Sequence, residues 1–129
     1  MVKKIIVVLF LVNFLFPQVS HAKSKWQVYN YSKAELQLFD NLADAIYKAE
    51  NSKRYPYGII VPGKRLSKEK ARVYCINTIK HKYFDWSHEK KTPFLNYLAS
   101  KYAPIGAGND PTNLNRNWLK NVSHFMGSN

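Results

Sequence analysis

The chain has a single cysteine, Cys75, so no internal disulfide can form and the fold must hold by packing alone. Carboxylates are also scarce, with 8 Asp and Glu against 20 Lys and Arg. Histidines are few and scattered. His81, His88 and His124 show no H-x-x-x-H spacing and no C-x-x-C accompanies them, so a metal centre is not expected and no cofactor is implied. Neither a G-x-S-x-G elbow nor a phosphate-binding glycine loop is present. After residue 22 no apolar run is long enough to span a bilayer, which takes about 20 residues.

The one long apolar run lies at the start. Lys3 and Lys4 precede a stretch over residues 5–16 broken only by Asn13, then Pro17 and Ser20-His21-Ala22. This is the charge, core and small-residue order of a cleavable signal peptide over residues 1–22, with an uncleaved anchor as the alternative. The expected product is one domain over residues 23–129, exported to the periplasm or secreted. Without Lys3 and Lys4 that product has 18 cations against 8 anions, a net charge of +10. Such a field attracts anionic envelope polymers. A solvated surface without a specific partner is the plainer reading. Nucleic-acid binding is a third, and no specific nucleic acid is expected.

Four helices can be read from cap signals and periodicity. Ser32 and Glu35 form an S-x-x-E capping box, followed at helical spacing by Leu38, Leu42, Ile46 and Ala49, and this pattern runs out at Glu50-Asn51-Ser52. Tyr55-Pro56-Tyr57-Gly58 breaks the helix; Ile59-Ile60-Val61 is β-prone and Pro62-Gly63 turns it, which suggests one small strand or hairpin. Ser67 caps a second helix with Ala71, Tyr74, Cys75, Thr78 and Ile79 on one face, fading near Tyr83 and Trp86. Thr92-Pro93 opens a third, striped by Phe94, Leu95, Leu98, Ala99 and Tyr102 and stopped by Pro104. Asp110-Pro111 opens a fourth, carrying Leu114, Trp118, Val122, Phe125 and Met126. Trp26 to Tyr31 reads as an extended lead-in. The expected fold class is mainly α, with at most a small β-hairpin.

The few carboxylates are the candidates for chemistry. Glu35 and Asp110 serve as caps, Glu69 sits in a first helical turn where the dipole favours it, and Glu89 lies in a lysine-rich loop. Glu50 closes the strongest amphipathic helix just ahead of an aromatic turn. Aromatic neighbours would strip its hydration, raise its pKa and keep it protonated as a general acid for glycosidic oxygen. An ordinary surface glutamate at a helix end is the plain alternative. Cys75, on the apparent core face, reads as an inert thiol rather than a nucleophile.

Two blocks carry a resemblance to a known family. Ala45-Ile46-Tyr47-Lys48-Ala49-Glu50-Asn51-Ser52 resembles the helix end that bears the catalytic glutamate in lysozyme-like soluble lytic transglycosylases. Phe94-Leu95-Asn96-Tyr97-Leu98-Ala99-Ser100-Lys101-Tyr102-Ala103-Pro104 is similar to the late helix of bacterial and phage muralytic proteins, followed here by Asn109-Asp110, Trp118 and Asn121-Val122. The family's G-L-M-Q motif is absent, and Tyr57-Gly58-Ile59-Ile60 stands in its place.

The resemblance implies a compact lysozyme-like helical domain acting on the MurNAc–GlcNAc strand of peptidoglycan. Glu50 would be the acid and then the base that takes the C6 hydroxyl proton. Ser52 would orient it, and Tyr102 would lie near the cleft. Tyr55, Tyr57 and Tyr102 are the candidate sugar-stacking residues. The sugar's own hydroxyl serves as nucleophile in this chemistry, so no second carboxylate is needed; a hydrolase would need one, for which Asp85 and Asp110 are the candidates. A monomer is expected. The competing expectation is a non-catalytic exported module that binds wall glycan or an envelope protein.

Overall fold

Ser32 starts the central helix as its spacing predicts. Its hydroxyl accepts from the Glu35 N–H at 3.1 Å, and the Glu35 carboxylate accepts from the Ser32 N–H at 2.7 Å. In this computed structural model, which describes residues 22–105 and 114–127, the chain is mainly helical. The elements are α1 (Lys25–Val28), α2 (Lys33–Glu50), α3 (Lys68–Glu89), α4 (Phe94–Tyr102) and α5 (Trp118–Met126). Short 3₁₀ turns lie at Pro56–Gly58 and, leading into α5, at Leu114–Asn117.

Helix α2 is the hub. It packs against α3, α5 and the Pro56–Gly58 turn, while α4 lies against α3 and α5. Leu42 and Ile46 of its predicted stripe are buried together with Phe39, Ala43 and Ala45, while Leu38 and Ala49 are half-buried against them. Ala71, Cys75 and Ile79 from α3, Leu98 and Tyr102 from α4, and Trp118 and Val122 from α5 complete the core. No described helix is long and apolar enough to cross a membrane.

Several expectations are corrected. The lead-in is not extended: Lys25–Val28 is a helical turn. It is held by Gln27, whose amide oxygen accepts from the Ser24 N–H at 2.7 Å, and by Tyr31, whose hydroxyl lies 3.0 Å from the Lys80 carbonyl and 3.1 Å from that of Trp26. Thr92 does not cap α4. Pro93 is the N-cap, and the Thr92 carbonyl instead accepts from the Trp86 indole at 2.7 Å. Helix α3 does not fade at Trp86 but runs on to Glu89, because Tyr83 and Trp86 pack on Phe94 and anchor its last turns. The β-prone run makes only an isolated bridge between Val61 and Lys64 around Gly63. Residues 1–21 of the expected signal peptide over residues 1–22, and the Asp110-Pro111 start, lie outside the described residues; α5 proper begins at Trp118.

Candidate active site

Helix α2 ends at Glu50 because Asn51 turns left-handed (φ 44°), its N–H returning to the Tyr47 carbonyl at 3.1 Å. That places the carboxyl at the negative end of the helix dipole, an unfavourable place for an anion. The side chain is nevertheless held inside, 2 % exposed. Its Oε1 accepts from the Trp118 indole N–H at 2.9 Å. Burial pushes the carboxyl up to about 8, with the indole N–H pulling weakly in the other direction. Glu50 therefore holds its proton at neutral pH.

The turn beside it is built for close approach. Tyr57 and Gly58 are consecutive left-handed residues, at φ 61° and 69°. Tyrosine adopts such a backbone only under constraint, at a cost of about 1–3 kcal/mol. Here two contacts impose it: Tyr102 donates its hydroxyl to the Tyr57 carbonyl at 2.7 Å, and Arg72 reaches the Tyr57 hydroxyl at 3.4 Å. The twist brings Gly58 against the carboxyl so tightly that a Cβ there would lie 2.8 Å from Glu50 Cδ. Only glycine satisfies both the backbone angle and the space.

Tyr102 connects these parts. Its ring stacks on Trp118 with centroids 5.2 Å apart, and its hydroxyl also lies 3.6 Å from Cys75 Sγ. Tyr102 of α4 thus braces Trp118 and the Tyr57-Gly58 turn, the two parts that meet the Glu50 carboxyl. Cys75 is fully buried and its thiol is pushed up to about 12, so it carries no nucleophile at neutral pH.

The other expected site residues fare differently. Tyr57 and Tyr102 are core, 2 % and 1 % exposed, so neither ring can stack on a sugar; they shape the site from behind. Ser52 does not orient Glu50. Its hydroxyl accepts from the Tyr55 N–H at 3.0 Å and fixes the loop. Tyr55 is half-exposed, under the Arg54 guanidinium at 5.2 Å, and lines an open concavity of about 750 Å³. Glu50 does not line that concavity, nor a second one of about 410 Å³ near Trp26 and Tyr29.

Of the two candidate second carboxylates, Asp85 is engaged with His81 and Lys82 at 3.5 and 3.7 Å, and Asp110 lies outside the described residues. Among the described residues no group of three or more His, Cys, Asp or Glu gathers as a metal site.

Trp118 is the site residue that sequence reasoning passed over. The sequence places it on the apolar stripe of the last helix, and the structure buries it there. The available signal was chemical: a buried indole N–H needs an acceptor, and carboxylates were scarce. Comparison with known proteins adds no assignment, since no protein family, curated protein or solved structure matches the chain.

Proposed function

We propose that this protein cleaves the glycan strand of peptidoglycan as a lytic transglycosylase, outside the cytoplasm, with Glu50 as its acid and base. The observation that carries the reading is a carboxyl raised to about 8 by burial, fixed by Trp118 and lying against a glycine that leaves no room for a side chain. A protonated glutamate in a dry setting is what departing glycosidic oxygen requires. Glu50 gives its proton to the bridging oxygen as the C1–O bond of MurNAc breaks. The resulting carboxylate then takes the C6 hydroxyl proton while O6 bonds to C1, closing the anhydro ring and restoring the acid. One carboxyl suffices, which fits a chain whose other described acids are spent on caps and ion pairs or stand on the surface. The overall positive charge favours encounter with the anionic wall.

The Glu50→Gln variant tests this. Glutamine keeps an oxygen for the Trp118 indole but has no proton to transfer. Muropeptide release from purified sacculi is expected to fall by at least about 10²-fold while binding to sacculi persists. Release by wild type that the variant matches, or no release by wild type at all, overturns the proposal.

A second reading is favoured by one observation: Glu50 is 2 % exposed and lines neither concavity described above. On that reading the protein is a non-catalytic wall- or protein-binding module, and Glu50 is a structural acceptor for Trp118. The same experiment separates the two.

A further inference from the structure

Between Glu50 and Glu69 the chain has no carboxylate and five cations, Lys53, Arg54, Lys64, Arg65 and Lys68. The fold bends this segment into a U. Ser52 pins the first arm through the Tyr55 N–H, and the Val61–Lys64 bridge closes the second around Gly63 at φ 70°. Lys53 and Arg54 on one arm and Lys64 and Arg65 on the other, all exposed, line the concavity of about 750 Å³ together with Tyr55 and Val61. None of the four is in an ion pair with a described residue. Arg72, outside the segment, is paired: it meets Asp44 at 2.6 Å and Asp40 at 3.3 Å.

Four like charges around one hollow repel one another, and a polyanion entering it relieves that repulsion. The site also lies close to Glu50. Two residues separate Glu50 from Lys53, and three peptide steps keep their Cα atoms within roughly 11 Å.

We propose that this cationic cradle binds the free carboxylates of the peptide stems on a peptidoglycan strand and so aligns the glycan beside Glu50. This rests on the wall-glycan reading above but not on cleavage. A carboxylate-bearing glycan fits better than single-stranded nucleic acid. Nucleic acid needs successive aromatic platforms for its bases, whereas the cradle has one tyrosine, with Arg54 over its ring. Arginine and lysine together suit carboxylates, the first through its planar fork and the second as a point charge.

The test uses the full chain in a Glu50→Gln background, so that turnover does not alter the ligand, and measures co-sedimentation with purified sacculi at fixed salt. Lys64→Ala/Arg65→Ala is compared with Lys25→Ala/Lys33→Ala, which removes the same charge from exposed positions on α1 and α2. Thermal melting checks that both remain folded. The cradle variant is expected to weaken binding about tenfold or more and the control less than about threefold. Sacculi whose carboxylates have been amidated with carbodiimide and ammonia should bind the Glu50→Gln parent as weakly as native sacculi bind the cradle variant.

Equal losses in the two variants would show diffuse charge attraction and overturn the cradle. So would undiminished binding to amidated sacculi, or duplex DNA displacing the protein from native sacculi at equal anionic charge. If the binding pattern holds but wild type releases no muropeptides, the cleavage proposal fails and the cradle stands. Cleavage with equal losses sinks the cradle alone.

Discussion

Helix α2 carries a glutamate at each end, and the two have opposite fates. Glu35 sits in the first turn, where the Ser32 N–H at 2.7 Å and the Tyr83 hydroxyl at 2.9 Å both donate to it. Those bonds hold it below the ordinary carboxylate range, the Ser32 N–H foremost. Glu50 sits in the last turn and also accepts one aromatic donor, the Trp118 indole, yet burial raises it to about 8. Residue type, helix and kind of partner are shared. What differs is the end of the dipole and access to water, and desolvation outweighs a single neutral hydrogen bond. The lesson is that a general-acid candidate is defined by what is removed around it rather than by its bonds. At this carboxyl, removal is the work of Trp118, Gly58 and the strained Tyr57 turn.

The contrast can be broken most severely at Gly58. Gly58→Ala adds a Cβ 2.8 Å from Glu50 Cδ at a φ of 69°, and unfolding in urea should show a loss of about 2–5 kcal/mol. A near-neutral result would mean that the turn does not press on the carboxyl.

Next comes pH. The folded chain keeps a proton on Glu50 that the unfolded chain releases above the ordinary carboxylate pKa, so Glu50 costs stability as pH rises from about 5 to about 8. Relative to Glu50→Gln, wild type should lose about 1.4 kcal/mol per pH unit across that window and run parallel above it. Glu35 has the opposite sign: its stabilisation is present at neutral pH and fades as acid protonates it. Parallel curves for wild type and Glu50→Gln from pH 5 to 8 would show that Glu50 ionises normally. Trp118→Phe should move the upper break to higher pH, because burial would then act without the indole N–H.

The smallest effect belongs to the other end. Ser32→Ala should cost about 1 kcal/mol through loss of the cap, with muropeptide release per folded molecule unchanged. A change in release would mean that the two ends of the helix are coupled.

Much of this architecture was legible in the residues. The Ser32–Glu35 box, the stripe through Leu42 and Ile46, and the stop at Glu50 are local signals, and the helix has those bounds. The extra turn Lys25–Val28 is not called from the sequence although Ser24 and Gln27 form an S-x-x-Q capping box, since a single turn persists only through tertiary support, here from Tyr31 bonded to the Lys80 carbonyl of α3. The shift of the α4 cap from Thr92 to Pro93 has the same origin, because the Trp86 indole claims the Thr92 carbonyl. Tyr57 and Tyr102 looked like sugar platforms because aromatic rings serve both surfaces and cores; only packing distinguishes the two.

The sequence alone determined the helical class, the central helix with its terminal carboxyl, and the acid-free basic segment that follows, because caps, periodicity and composition act over a few residues. Tertiary structure decided that Glu50 turns inward, that an indole 68 residues away meets it, and that Tyr57 and Tyr102 are buried. Desolvation is a property of everything packed around a group, so no stretch of neighbouring residues encodes it.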